Sequence, residues 1–468
     1  MDDLFYRFRS LDRLLGKDER HGELEKLEIF FSHPSQLNDP LEGYKDIYWA
    51  GDSIAWTNLI NHYITCLLQH IFEHLTSLTS PAPFNPSILI RNHSDTLPNT
   101  VADIIRAAQL RAYRHHQVTD YISAISDFRK IRLQELTFHL NVLHRIMVHS
   151  IFSELESLRL SPFKTSDIVE RLADDLTTCG HTAAAIKAST KYTFAETLYE
   201  KALGFKLAAK IEHMQNKQQQ RWFFLMVEFP EYFSIALEEL IHPKWYTACF
   251  MADCTNSSVW GSYGSNHTGV CLIYQANSSD RNRPTLNLEI PVGEDRDGLI
   301  TGLVPLELHK VDYERSFAQI DFFNSLGSLP VPTLNKFWYT DGNGNKSACG
   351  AGVGSSQWRQ SYWDGVIEAN TTKLKDWEYE KEYRAILHPS AFDISNAAAR
   401  KCRYDFKCLN GLIFGIKTPT QAKLKIISII RSLCLKHERK EFNFYQARYN
   451  PSTNKISHHS IDIPIRPM

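Results

Sequence analysis

No two cysteines stand in C-x-x-C spacing, and no stretch approaches the roughly 18 uncharged apolar residues that a membrane-spanning helix needs. Neither G-x-x-x-x-G-K-[ST] nor a strand-borne G-x-G-x-x-G occurs. These absences exclude a zinc knuckle, a helical membrane anchor and the common phosphate-binding glycine loops. The nine cysteines are also odd in number, which argues against a disulfide framework and for reduced core residues. Internal repeats are lacking. A large net charge is lacking too: 52 lysines and arginines against 53 aspartates and glutamates leave −1. The first residues, MDDLFYRFRS, are charged where a secretory signal is apolar, so a cytoplasmic protein without membrane association is expected.

What is present is a chain of 468 residues, 43% apolar and 12% aromatic, enough for a large core and two or three domains. LFYRFR at 4–9 alternates as a strand that puts Arg7 and Arg9 on one face, and LEIFF at 27–31 reads as a second. From 53 to 240 the spacing changes to i, i+3, i+4, i+7, as in Ile64, Leu67, Leu68, Ile71 and Leu75, which predicts helices. Strand patterns resume at 245–251, 270–274, 285–313, 409–416 and 442–449. The expected fold is therefore α+β: a mixed, mainly antiparallel sheet built from 1–52 and 241–468, with an all-α insertion over 53–240. Charge is uneven along the chain. Residues 400–448 hold twelve lysines or arginines against Asp405, Glu438 and Glu441. Residues 104–149 are basic and carry His115, His116, His139, His144 and His149. Either stretch suits a phosphate-bearing or macromolecular partner, or is a solvated helix face with counter-charges. The histidines lack the spacing of a metal set and suit helix surfaces or partly buried positions. The glycine-rich segment 341–356 reads as a mobile loop or lid.

Three stretches carry chemistry. After the strand at 27–31, prolines stiffen a loop that holds Ser32, Asn38, Asp39 and Glu42, and such loops often bear function; Asx-type bonding is the alternative. At 260–269, WGSYGSNHTG places Trp260, Tyr263 and His267 on one side of a short helix, as a wall for a flat ring or as core. At 377–387, WEYEKEYRAIL alternates as a strand with Glu378, Glu380, Glu382 and Arg384 on one face. A column of carboxylates in a partly dry site raises at least one pKa unless cations face it. A solvated outer face, or a simple Arg384–Glu382 pair, is the structural alternative.

Taken together, Y-R-F-R-S at 6–10, F-S-x-P-x-x-x-N-D-P-x-E at 31–42, W-x-x-Y-x-x-x-H-x-G at 260–269, W-x-Y-E-K-E-Y-R at 377–384 and I-F-G-x-K at 413–417 resemble a widespread bacterial family. That family is catalogued as a domain of unknown function and occurs among mobile and phage-defence loci. The chain departs from it in having some 190 helical residues after the N-D-P-x-E loop. More remotely, the layout resembles the ADP-ribosyltransferase plan. That resemblance implies NAD as substrate, Arg9 or Arg7 on its phosphate or ribose, and Ser32 with Tyr263 about the nicotinamide. Asn38, Asp39, Trp260 and His267 would complete the binding wall, and Glu380 or Glu382 would be the catalytic acid.

The expected function is NAD-dependent ADP-ribosyl transfer to a macromolecular acceptor, or NAD cleavage, by a toxin or phage-defence effector. A fixed carboxylate beside an oxocarbenium-like ribose stabilises the transition state more than the ground state. The helical insertion or the basic C-terminal unit would recruit the acceptor or a restraining or sensing partner protein. Two other readings stay open. One is a metal-dependent hydrolase or nuclease using Asp39, Glu42, Glu380 and Glu382; the other is a non-catalytic sensor or adaptor.

Overall fold

Side chains alternate across the first strand, so Phe5 goes to one apolar layer and Phe8 to another, with a sheet between them. The computed structural model describes residues 4–16, 22–80, 84–127, 129–188, 207, 210–211, 217–278, 283–389 and 392–465. Its strands are β1 (Leu4–Arg9), β2 (Glu28–Phe30), β3 (Asp46–Trp49), β4 (Ile131–Arg132), β5 (Tyr246–Met251), β6 (Val270–Gln275), β7 (Asn277–Ser278) and β8 (Pro284–Asp295). They continue with β9 (Gly298–Lys310), β10 (Gln319–Asp321), β11 (Glu382–Leu387), β12 (Lys401–Tyr404), β13 (Leu409–Phe414), β14 (Asn443–Asn450) and β15 (Lys455–Ile461).

The chain divides into two units. The first comprises Met1–Tyr44, Lys244–Phe317 and Ile367–Met468. It holds a twelve-stranded sheet in the order β15-β14-β13-β6-β1-β5-β11-β9-β8-β12-β2, with β7 beside β8. Every pairing in this sheet is antiparallel except β13 with β14, which the helix Thr420–Lys436 connects. Phe5, Ala248, Phe250, Leu272, Ala385 and Leu412 pack on one face, and Phe8, Met251, Trp260, Ile273 and Ile413 on the other. The register of β1 on β5 is a single pair, Tyr6 opposite Met251. Past that pair β5 bonds instead with Ser32, whose N–H donates to the Thr247 carbonyl at 2.8 Å. The sheet therefore opens between Arg7–Arg9 and Thr247–Cys249, and residues from both strands line one cavity.

The second unit comprises Lys45–Pro243 and Ala318–Val366. Its long helices are Ser53–Thr79, Asn99–Tyr113, His116–Ile125, Leu133–Ser157 and Leu172–Ala188. These helices lie in the stretch 53–240 where the sequence predicts an all-α insertion. The unit includes a small sheet, β10-β3-β4, with β10 parallel to β3, and 318–366 belongs to it. Short strands that pair across some 270 residues leave no local periodicity to read. Residues 81–83, 128, 189–206, 208–209 and 212–216 of the expected helical stretch lie outside the described residues.

The basic stretch at 104–149 is laced with carboxylates: Arg111–Glu154 at 2.6 Å, Arg132–Asp46 at 2.9 Å and Arg145–Asp175 at 3.1 Å. Two of its histidines are buried and neutral. His144 Nε2–H donates to the Leu225 carbonyl at 2.8 Å, so Nδ1 accepts from Tyr63 Oη–H at 2.7 Å. His139 stands likewise between Tyr121, at 2.8 Å, and Glu135, at 3.3 Å. The Asp52 carboxylate, which caps Ser53–Thr79, accepts from Ser347 Oγ and from the Ala348 N–H at 2.7 Å. Those bonds hold the glycine-rich segment 341–356 in place.

Candidate functional site

The loop after β2 is set by its own side chains. His33 and Gln36 form a reciprocal cap on the turn Pro34–Gln36. Asp39 accepts from the Leu41 N–H at 2.9 Å, and Gly43 takes φ 71°, where an added Cβ would come 2.8 Å from the Trp245 ring. This backbone carries Glu42 into the unit's interior, to a side-chain exposure of 2%. Opposite, the Asn256 side chain caps Ser257–Ser262 by accepting from the Ser258 and Val259 N–H groups, and Tyr263 ends that helix facing the cavity.

Residues 377–387 are not one strand. Lys375–Glu380 is a 3₁₀ turn, Lys381 is left-handed at φ 47° and ψ 50°, and only Glu382–Leu387 is extended. Alternation over the first half is thus broken, because the turn has a period near three. Glu378 is exposed and lines a different hollow beside Lys310 and Lys381. Glu380 and Glu382 nevertheless face the same cavity, because the left-handed residue between them turns the chain.

Around them lies a buried ionic cluster. Lys373 Nζ sits 2.7 Å from Glu380 Oε2, 3.3 Å from Glu382 Oε2 and 3.9 Å from Glu42 Oε2, and 4.7 Å from the centre of the Trp377 ring. Arg384 grips Glu382 with two bonds of 3.0 Å, contacts Glu42 at 2.6 Å and donates to the Asn370 carbonyl at 2.7 Å. Tyr263 Oη–H donates to Glu380 Oε1 at 2.5 Å, and the Glu382 N–H donates to Tyr313 Oη at 2.9 Å.

Three carboxylates meet two cations, so the cluster is one positive charge short whenever all three acids are ionised. Burial pushes the pKa of Glu382 upward, but Arg384 and Lys373 overcome it and hold the group at about 2. For Glu380 burial prevails over Lys373 and raises the pKa; for Glu42 it prevails over Arg384. Burial also works against the Lys373 charge, yet Glu382, Glu380 and Glu42 outweigh it and keep the ammonium protonated.

The other end of the cavity is cationic. Arg7 is 5% exposed, donates to the Cys249 carbonyl at 3.1 Å and the Phe30 carbonyl at 3.0 Å, and its Nε has no partner among the described residues. Burial, and then Arg9, lower its pKa to about 10. Arg9 pairs with Glu23 at 2.8 Å, and Arg13 lies at the rim. The space between the two ends is about 290 Å³.

Of the residues singled out in the sequence, Arg7, Arg9, Ser32, Asn38, Tyr263, Glu380 and Glu382 line this one cavity. Three do not. Trp260 is core, its Nε1–H donating to the Cys254 carbonyl at 2.8 Å with Phe8 edge-on at 4.9 Å. His267, at φ 68°, stacks on Trp260 because the helix has already ended at Ser262. Asp39 is occupied with its own loop. Lys373 has no signal in the sequence, since NTTKLKDW has no motif; Glu42 is singled out there as a loop side chain and as a candidate metal ligand, not as part of the NAD site.

A family model described as "Protein of unknown function (DUF2971)" matches residues 259–385. It spans the turn bearing Tyr263, the whole of Lys373–Glu382 and the first part of β11. No curated protein and no solved structure matches the chain. No helix among the described residues is long and apolar enough to cross a membrane.

Proposed function

We propose that this protein breaks the bond between nicotinamide and ribose in NAD, in the manner of an ADP-ribosyl-transferring or NAD-cleaving enzyme. The observation that carries the reading is the pair of opposite charge shortfalls in one cavity. At one end a buried guanidinium, Arg7, bonds only to backbone carbonyls and suits a phosphate. At the other end three carboxylates exceed two cations, and the oxocarbenium-like ribose of the transition state supplies the missing positive charge. In this reading Glu382 is held by Arg384 as the ionised floor of the site. Glu380, bonded to Tyr263 and Lys373, is the carboxylate that meets the reacting sugar.

A divalent-metal hydrolase is the weaker alternative. The Lys373 ammonium stands among Glu42, Glu380 and Glu382, where a bridging cation would have to sit, and Asp39 lies outside the cavity. The NAD reading suits a toxin or phage-defence effector that acts on the cellular NAD pool.

The test is nicotinamide release from NAD by the full chain. Glu380→Gln should lower the rate about 10²- to 10³-fold while leaving thermal unfolding close to that of the parent. A chain that releases no nicotinamide, or a Glu380→Gln variant as fast as the parent, sinks the proposal.

A further inference from the structure

We infer that one end of the large sheet, where Lys417, Lys423, Lys425 and Arg448 stand beside the cavity, binds single-stranded nucleic acid. This goes beyond the NAD reading and stands without it.

Two basic stretches are candidates for an anionic partner, and their surroundings separate them. In 104–149, Arg106, Arg111, Arg129, Arg132 and Arg145 each pair with a carboxylate. Along the chain, the ion pairs among the described residues end with those of Arg384, and none reaches a lysine or arginine of 401–455. The first stretch is neutralised in place. The second keeps its charge for a partner.

Strand register gathers these cations at one end of the sheet. Arg9 of β1 lies opposite Val270 of β6, Val270 opposite Phe414 of β13, and Phe414 beside Gln446 of β14. Lys417 and Arg448, just past those positions, therefore share that end with Arg9. The Lys417 N–H donates to the His267 carbonyl at 2.9 Å, two residues from Ser265, which lines the cavity. Lys423 Nζ donates to Gln446 Oε1 at 2.6 Å, while Lys417, Lys425 and Arg448 are exposed. No aspartate or glutamate occurs in 255–278, 406–437 or 442–461. The acids that bound the last two segments, Asp405, Glu438, Glu441 and Asp462, lie at the opposite end of β13, β14 and β15. The helix Thr420–Lys436 begins at the cationic end without a side-chain cap and adds its positive pole.

The shape of this surface selects the partner. From β1 to β14 it covers three strand spacings, about 14 Å, so it is elongated and fits a polyanion better than one phosphate. Next to Arg448, Tyr449 is 55% exposed, and its hydroxyl donates to Asn454 Oδ1 at 2.6 Å. That bond holds the ring out as a platform on which an unpaired base can stack. Cations for the backbone and a fixed ring for the bases are the two parts of a single-strand site, and the ring favours nucleic acid over an acidic protein or an anionic membrane. At its β1 side the surface meets the cavity rim, where Arg13 lies.

The experiment uses the full chain and a fluorescently labelled, unstructured oligonucleotide of about 12 nucleotides, with anisotropy read over a range of potassium chloride concentrations. Affinity should fall with salt, the logarithm of the association constant having a slope of about −3 for roughly four phosphate contacts. Lys417→Gln, Lys425→Gln and Arg448→Gln together should weaken binding by about tenfold or more and make the slope shallower by about 2. If the triple variant fails to fold, each single variant should lower the slope by about 0.7. Tyr449→Ala should weaken binding about 5-fold or more with the slope unchanged. Arg106→Gln, at the neutralised stretch, should change neither. The inference is overturned by no binding at low salt, or by substituted variants that bind as the parent does. It is overturned equally if polyglutamate or vesicles containing anionic lipid displace the oligonucleotide as well as unlabelled oligonucleotide does. Nicotinamide release, measured separately, bears only on the NAD reading.

Discussion

Tyr63, His144 and the Leu225 carbonyl, in the second unit, close on one another and use up each other's donors and acceptors. Glu42, Glu380, Glu382, Lys373 and Arg384, in the first, also bond to one another, yet set three carboxylates against two cations beside a cavity. Both groups are buried and both are polar. The difference is saturation. A neutral network whose bonds are all made inside specifies packing, while an ionic one left short by a charge holds electrostatic energy that a ligand can relieve. Burial of polar groups alone therefore does not mark a site; an imbalance next to accessible space does.

The comparison is broken most severely at Arg384. Arg384→Met leaves Glu382 and Glu42 with Lys373 as their one cation, so the first unit should lose about 3–5 kcal/mol, read by denaturant unfolding. Amide exchange in Ser53–Thr79 should be unchanged by that substitution if the second unit's network is self-contained. A stability equal to the parent's would show that the cluster is better hydrated than its burial suggests.

Acid should sharpen the contrast from the other side. Burial, with His93 adding to it, lowers the His62 pKa to about 3, and burial together with Arg145 lowers that of His144 to about 4. Free histidine titrates near 6.5, so the unfolded chain takes up the protons first as pH falls. Stability from these groups is intact above about pH 6.5 and is lost as pH falls toward 4 and then 3, at up to about 1.4 kcal/mol per pH unit for each proton. Amide exchange in Ser53–Thr79 against pH should show this slope, and His62→Gln should reduce it by one proton. A flat profile between pH 6.5 and 4 refutes the assignment of neutral histidines.

The smallest effect is expected at Lys381. Its left-handed backbone costs a residue with a Cβ roughly 1–2 kcal/mol, which glycine avoids, against about 0.5–1 kcal/mol of glycine's own chain entropy. Lys381→Gly also gives up the exposed contact with Asp253 at 3.0 Å. Stability should stay within about 1 kcal/mol, and nicotinamide release should be retained. A large loss of activity would mean that the lysine side chain, not its backbone, serves the site.

Much of the larger sheet was legible because its strands carry their own period: LFYRFR, VCLIYQ and LNGLIF alternate or run apolar where the structure has β1, β6 and β13. The loop at 32–42 was readable from its prolines and Asx residues. The two glutamates were found through a strand pattern that holds only from Glu382 onward. They face one cavity by a left-handed turn, which alternation does not encode. Trp260 and His267 were drawn in by helical spacing that ends one turn too soon. Lys373 had no local signature, since its position depends on contacts with Glu42 and Glu382 that only the fold creates. The parallel pairing of β3 and β10 was invisible for the same reason.

The single left-handed residue between Glu380 and Glu382 also limits how the gene can change. One codon inserted or removed there would swing one of the acids away from Lys373, whatever residue it encoded. Drift in chain length should therefore gather in exposed turns such as Asp295–Gly298, where β8 folds back on β9, and spare the three positions 380–382.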